Sequence, residues 1–335
     1  MKILQIVNPA IPFPAKTVGG TERVVEYLIN ELLLLGHDIT LMAHNDSIVP
    51  KDVKFIPIGT FYDQKSTLKI IWKHLLITNY DVIHNHGRLI YFLPKIWSKV
   101  KKVHTLHLAD LGEKTFKLFF RLKPKNIIIS PCAKWIQEKY SDYPGKWKYV
   151  NNGIPLNLYS YTPTENKKYL IIIARMDEGK GITDAIQIAT LTNQNLVIAG
   201  KIGDTIEEKK WFNEHVLKYC DDQKIKFIGP VDDIQKQKLL QSAAALLMLT
   251  KVSEAFNLTM VEANANGCPV ITYNKYFSPY FIKNGVNGYI GNTHLELIEK
   301  LKLLELIDRD KCRKEFELNY TSEIMTNNYL KIYTS

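Results

Sequence analysis

The sequence predicts an α/β protein built from two doubly wound parallel-sheet domains. Three observations carry that expectation. Short apolar runs alternate with segments of helical periodicity along the chain. The same plan starts again after residues 151–164 (NNGIPLNLYSYTPT), which are rich in Asn, Pro and Tyr and poor in pattern. The chain has 335 residues, 46% of them hydrophobic, and that length favours two domains over one.

In the first half, residues 2–7 read as a short apolar strand. The Gly-bearing loop KTVGGTE follows. Thr21 or Gly20 is placed to cap a helix, ERVVEYLINELLLLG, closed by Gly36. Residues 38–43 form the next strand, and STLKIIWKHLLIT reads as a helix. Residues 81–85 form a strand ending at His84, Asn85 and His86. Residues 102–107 and 126–130 are two more short strands. In the second half the strands are KKYLIIIARMD, NLVIAGK, KIKFIGPV, AALLMLT and CPVITYN, with a helical segment after each of the first four. Strands spaced by helices make a parallel sheet covered on both faces. The expected organisation is a domain over 1–155, a second over 156–312, and a helix over 313–335 that crosses back to the first. In open α/β sheets ligands bind outside the carboxyl ends of the strands, so functional residues are sought there and in the cleft between the domains.

Composition narrows the function classes. No run of about 18 apolar residues occurs, so no spanning helix is expected. The opening MKILQIVNPAIPFP does not read as a signal peptide. Cys132, Cys220, Cys268 and Cys312 are scattered, which fits free thiols in a cytoplasmic protein and disfavours zinc. The net charge is +10, and it is uneven. Residues 1–160 hold 22 Lys and Arg against 12 Asp and Glu, while residues 161–335 hold 22 of each. A basic half fits an anionic partner such as a membrane surface, a phosphorylated acceptor or nucleic acid. A general lysine bias would leave the same mark. No nucleic-acid-binding motif accompanies the charge.

The stretch SEAFNLTMVEANANGCPVI holds the most informative residues. A helix from about Asn257 to Asn266 puts Leu258, Val261, Glu262 and Ala265 on one face. Glu262 is then a carboxylate on the core-facing stripe, and such a group needs a partner. A sugar with vicinal hydroxyls, such as a ribose, offers two donors. A buried Lys, Arg or pair of backbone amides serves equally. Glu254 lies in the loop before this helix, where it can reach the cleft. The free amides of Phe256, Asn257, Leu258 and Thr259 open the helix and form an anion cradle.

In IIIARMDEGKG, Arg175 leaves a strand end and Lys180 stands at the mouth of the next helix, flanked by Gly179 and Gly181. Two cations beside a helix start fit a diphosphate, although a surface turn reads the same way. In GGTER, Gly19 and Gly20 allow a ligand close to the backbone, as they would allow a tight turn. No G-x-G-x-x-G is present, which disfavours a nicotinamide dehydrogenase. His84, His86, His104 and His107 stand at strand ends without a carboxylate or cysteine set. They read as hydrogen-bonding histidines rather than metal ligands. The Asp-Arg-Asp at 308–310 reads as a solvated face. GEKTFKLFFRLKPK, residues 112–125, interleaves basic and aromatic residues and fits either a membrane contact or a helix with a buried aromatic face.

Taken together, E-x-F-x-L-x-x-V-E-A followed by G-x-P-V-I resembles the E-x7-E signature of the family 4 glycosyltransferases, of GT-B fold. R-x4-K at Arg175 and Lys180, N-G-I at 152–154, F-I-G at 227–229 and the G-G-T-E-R loop match further landmarks in order. The resemblance implies a retaining, metal-independent transferase without a cofactor. Its donor is a nucleoside-diphosphate sugar of hexose type, UDP before GDP, and its acceptor a glycan, glycolipid or small molecule. It implies that Arg175 and Lys180 bind the diphosphate and that Glu262 binds the ribose. Glu254 and His107 contact the sugar, and the amides of residues 256–259 hold phosphate or sugar. Gly19 and Gly20 approach phosphate and acceptor, and Ile228 lies near the base. The basic half then fits peripheral contact at the inner face of a membrane, with no nucleic acid. The family usually has Gly where this chain has Asn257, which bears on the donor sugar. A nucleotide-sugar epimerase or a non-catalytic sugar-nucleotide module of the same fold is the alternative.

Overall fold

A computed structural model describes residues 1–15, 19–159, 161 and 168–335. The chain divides into two compact units, Met1–Pro155 with Thr321–Ser335, and Leu156–Tyr320. Lys16–Val18 of the expected glycine loop and part of the 151–164 boundary lie outside the described residues.

The first unit contains β1 (Lys2–Ile6), α1 (Gly20–Leu34), β2 (Asp38–Ala43), β3 (Val53–Pro57), α2 (Gln64–Ile77) and β4 (Val82–Asn85). Next come β5 (Lys101–Leu106), α3 (Glu113–Arg121), β6 (Ile127–Pro131), α4 (Lys134–Lys139) and β7 (Lys146–Trp147). Its sheet runs β3-β2-β1-β4-β5-β6-β7, every pair parallel. β1, β2 and β4 are buried almost along their whole length, as a sheet covered on both faces requires.

The second unit contains β8 (Tyr169–Ile173), α5 (Ile182–Leu191), β9 (Leu196–Ala199), α6 (Ile206–His215), β10 (Ile225–Gly229) and α7 (Asp233–Ser242). β11 (Ala243–Met248), α8 (Leu258–Ala265), β12 (Val270–Tyr273), α9 (Ser278–Phe281), β13 (Gly288–Gly291), α10 (His294–Leu301) and α11 (Arg309–Asn319) complete it. The order β10-β9-β8-β11-β12-β13 is again wholly parallel. Its core joins Leu170, Ile172, Ile198, Leu247 and Ile271 of the sheet to Ile182, Ile186 and Leu297 of the helices.

Both sheets reverse direction of growth beside their first strand, between β1 and β4 and between β8 and β11. A reversal leaves a crevice at the carboxyl ends of those two strands. His86 follows β4, and its N–H donates to the Ile6 carbonyl of β1 at 2.8 Å. Arg175 follows β8 and Glu254 follows β11. His86, Arg175 and Glu254 therefore stand at the switch point of their own sheet, whereas Ile228 ends β10 and His107 follows β5.

Two expected helices have different ends. The single helix expected over 313–335 is two helices, α11 and α12 (Ser322–Tyr333), broken at Tyr320 and Thr321. Thr321 begins the second helix by accepting from the Ile324 N–H, a side-chain cap that restarts the pattern. α11 stays with the second unit and α12 belongs to the first. The helix expected to be capped by Thr21 or Gly20 begins one residue earlier, with Gly19 at the cap position and φ of 133°.

Gly153 of the N-G-I landmark has a backbone explanation. The Ser322 N–H donates to the Ile154 carbonyl at 2.9 Å, and a Cβ on Gly153 would stand 2.2 Å from the Thr321 carbonyl oxygen. Only glycine admits this approach. Gly153→Ala is expected to lower the stability of the first unit by about 2 kcal/mol or more, read as an earlier urea midpoint. An unchanged midpoint would contradict the close approach.

Candidate functional site

In the second unit, two strand-end loops are tied into one surface. After β8, Asp177 turns the chain by accepting from the Gly179 N–H at 2.9 Å. Its other oxygen takes the Arg175 guanidinium in two bonds, 3.1 and 2.8 Å. The Gly179 carbonyl then accepts from the Lys251 N–H at 2.7 Å and the Thr250 hydroxyl at 3.3 Å, both just beyond β11. Gly181, at φ of 72°, packs so closely that a Cβ would stand 2.0 Å from the Leu249 carbonyl oxygen. A Cβ on Gly179 would meet Val252 at 2.6 Å. These glycines are required for the loops to touch.

That contact sets Lys180 against Glu254, whose Oε1 it holds in an ion pair. The other Glu254 oxygen accepts from the Asn257 side-chain amide. Asn257 is also the N-cap of α8, its Oδ1 accepting from the Met260 N–H at 3.1 Å. Asn257 therefore both caps the helix and orients Glu254. Among the described residues, the Leu258 and Thr259 N–H groups make no hydrogen bond and remain at the positive end of α8. The Phe256 ring packs on Phe277, with centroids 4.3 Å apart, and fixes the entry of the helix.

Glu262 is 5% exposed, as its place on the helix face requires. Its partner in the structure is protein: Oε1 accepts from Lys236 Nζ at 2.7 Å and from the Tyr159 hydroxyl at 3.0 Å. Lys236 is shared with Asp233 at 3.0 Å. Oε2 has no partner among the described residues. Ile228 is 43% exposed at the end of β10. Arg175 and Lys180, read from the sequence as two cations, are both engaged by carboxylates, Asp177 and Glu254.

Sequence reasoning missed Asp177, Lys236 and Tyr159. Asp177 carries a local signal, an Asp two residues before a glycine at a helix mouth. Lys236 and Tyr159 carry none, because they meet Glu262 only through the fold. Asp184 was missed too. It is buried, and it holds Lys251 at 2.7 Å and the Tyr273 hydroxyl at 2.8 Å. The 308–310 triplet is a helix start, with Asp308 accepting from the Asp310 N–H. Arg309 is turned inward onto the carbonyls of Ala243, Leu240 and Gln241.

In the first unit, Gly19 and Gly20 rim a cavity of about 490 Å³ that reaches His86 and His107. Glu22 and Arg88 line it as well, and neither was singled out in the sequence. A Cβ on Gly19 would stand 2.8 Å from the Glu22 carboxylate, so that glycine makes room for a buried acid. Burial raises the Glu22 carboxyl above its ordinary range. His107 Nε2 lies 2.9 Å from His86 Nδ1, and His86 Nε2 lies 2.8 Å from Gln5 Oε1. An amide oxygen only accepts, so His86 Nε2 donates to Gln5; a neutral His86, as its burial favours, then accepts at Nδ1 from His107 Nε2. His84 lies deeper, between the Tyr333 hydroxyl of α12 and Thr105, each at 2.7 Å.

Burial pushes all four of these histidines down, His104 to about 4 and His107 to about 3, and His84 and His86 well below their usual value. Between those values and the ordinary 6.5, the unfolded chain binds protons that the folded chain refuses. Their contribution to stability is whole above about pH 6.5 and is lost as pH falls through that window. Stability is therefore expected to fall between about pH 7 and pH 5, by up to roughly 1.4 kcal/mol per pH unit for each such histidine, and to be read as a lower melting temperature. Equal melting at both ends of the range would contradict neutral rings at buried His84, His86 and His104 and half-buried His107.

A family description, Glycosyltransferase Family 4, matches residues 18–158, and a second, Glycosyl transferases group 1, matches residues 159–319. The chain belongs to this family of glycosyltransferases, and its two parallel-sheet units are those of the GT-B fold. A Klebsiella pneumoniae relative described as an uncharacterized 41.2 kDa protein in cps region is 22% identical over 96% of this chain and 98% of its own. Among solved structures, a glycosyltransferase from Rickettsia africae aligns with a TM-score of 0.80 at 19% identity, covering 99% of this chain and 97% of that one. Anabaena HepE in complex with UDP and glucose aligns with a TM-score of 0.77 at 14% identity, covering all of both chains. Among the described residues no helix is long and apolar enough to cross a membrane.

Proposed function

We propose that this glycosyltransferase moves a hexose-type sugar from a nucleoside-diphosphate sugar, UDP before GDP, to a glycan, glycolipid or small-molecule acceptor. It does so with retention and without a metal or other cofactor. The observation that carries this reading is the constellation at the second switch point. Lys180, Glu254 and Asn257 converge on the open amino end of α8, and Arg175 stands on the adjoining loop. Cations and free amides at one point favour a diphosphate. The preference for UDP is supported by Anabaena HepE, which aligns along the whole chain and whose structure is in complex with UDP and glucose.

In this reading, Arg175 and Lys180 exchange carboxylate partners for the donor diphosphate. Glu254, released from Lys180 and still held by Asn257, turns to the sugar hydroxyls. Oε2 of Glu262 accepts from the ribose diol, with Oε1 kept on Lys236 and Tyr159. Ile228 lies against the base. On the first unit, Gly19 and Gly20 lie against phosphate and acceptor, and His107 contacts the sugar.

The bond between the anomeric carbon and the diphosphate oxygen breaks first, and its electron pair goes to that oxygen. The developing charge is stabilised by Arg175, Lys180 and the Leu258 and Thr259 amides, in the role a metal fills elsewhere. The acceptor hydroxyl attacks the oxocarbenium-like carbon from the face that the diphosphate leaves. Its proton passes to the departing diphosphate oxygen, the nearest base on that face. No covalent sugar-enzyme bond is formed.

Arg175→Ala is expected to lower kcat by about 10²-fold or more, the usual cost of a lost transition-state contact. Wild-type turnover with a UDP-hexose should survive EDTA. Near-wild-type kcat in the variant would remove Arg175 from this role, and abolition by EDTA with rescue by a divalent ion would overturn the metal-free mechanism.

A further inference from the structure

The first sheet carries a second cavity, at the amino ends of β5, β6 and β7, the opposite edge from His86 and His107. It measures about 640 Å³. Four lysines line it, Lys101, Lys123, Lys146 and Lys148, with Phe120 and Trp147 as its apolar walls. No carboxylate side chain contributes to the lining. Among the described residues, none of Lys123, Lys146 and Lys148 has an ion-pair partner, whereas Lys117 and Lys134 nearby in sequence each pair with a glutamate. Lys101 donates to the Ser335 backbone oxygen. Burial and the charges of Lys146 and Lys148 lower its affinity for a proton. Such a cluster repels itself in the absence of an anion and is relieved by one.

Two exposed apolar side chains stand beside the segment that enters this cavity at Lys123. Trp97 is 63% exposed and Leu122 is 42% exposed. Trp97 donates its indole N–H to the Leu122 carbonyl at 3.0 Å, and the Lys125 N–H donates to the Ile96 carbonyl at 2.9 Å. Those bonds hold the indole beside the chain that delivers Lys123. A soluble anion has no use for an exposed tryptophan and leucine. A bilayer surface uses both halves: phosphates for the lysines, and the acyl boundary for the indole and Leu122.

We propose that this face docks the enzyme on an anionic phospholipid surface, with headgroup phosphates entering the lysine cavity and Trp97 and Leu122 entering the interface. The site is separate from the proposed donor site and does not rest on the transfer reaction. Three lysines near an anionic surface contribute on the order of 10²-fold in partition.

The test is co-sedimentation of the purified full chain with vesicles of phosphatidylcholine, and with vesicles in which a third of the lipid is phosphatidylglycerol. Binding is expected only to the second, weakening as salt is raised. The triple variant Lys123→Ala, Lys146→Ala, Lys148→Ala should lose about 10²-fold. Trp97→Ala should bind several-fold more weakly at every salt concentration, and, with pyrophosphate competition, it decides the matter if the triple variant does not fold. Failure to pellet with anionic vesicles, equal pelleting with neutral ones, or a triple variant that binds as wild type would each overturn the proposal. So would wild-type binding by Trp97→Ala together with full displacement by inorganic pyrophosphate, which would make the cavity a site for soluble phosphate.

Discussion

The proposed donor site depends on one close contact, the seating of the loop after β8 on the loop after β11. Gly181 lies where any side chain would strike the Leu249 carbonyl, and the Gly179 carbonyl is the acceptor that both Thr250 and Lys251 reach. Without that seam, Lys180 and Glu254 are two residues on separate loops, 74 positions apart in the chain. With it they are an ion pair at the mouth of α8. Asp184, buried below, holds Lys251 and thereby braces the same seam from the side of α5.

The charges at this site are stored in pairs. Arg175 is held by Asp177 and Lys180 by Glu254, so each cation is positioned before any phosphate arrives. The exchange from carboxylate to diphosphate trades one oxyanion for another, which keeps reorganisation small. Glu262 follows the same economy at a buried position. A lone carboxylate there would be costly, and Lys236 and Tyr159 stabilise one oxygen while the other stays unpartnered among the described residues. The protein and a ligand are thus compatible partners for one side chain, and the sequence alternatives of a ribose and a buried lysine do not exclude each other.

Much of the architecture was legible because periodicity is local. β1, β2, β4, β8 and β11 are apolar runs bounded by breakers, and the α1 stripe ends where Gly36 permits the turn. β3, β7 and β13 were not read, nor were the helices α4, α9 and α10. β3 lies at a sheet edge with half-exposed side chains, so its pattern is weak. β13 is four residues opened and closed by glycine. The burial of Glu262 was legible from helical spacing, but its partners were not, because Lys236 and Tyr159 approach from 26 and 103 residues away. The break at Tyr320 and Thr321 was missed because a helical pattern resumes at once beyond it. The lysine cavity was visible only as an excess of charge in the first half, since its members come from three strand ends that sequence distance does not join.

The central claim is that Oε2 of Glu262, without a partner among the described residues, receives the ribose of the donor. Calorimetric titration with UDP and with its 2′,3′-dideoxy analogue, in wild type and in Glu262→Ala without metal, tests it directly. Wild type is expected to bind UDP at least tenfold more tightly than the analogue, and the variant is expected to bind both alike, since a charged acceptor facing two hydroxyls contributes about 1.5–3 kcal/mol. Equal discrimination by wild type and variant, or none by either, would contradict the account and leave Glu262 as a structural partner of Lys236 alone.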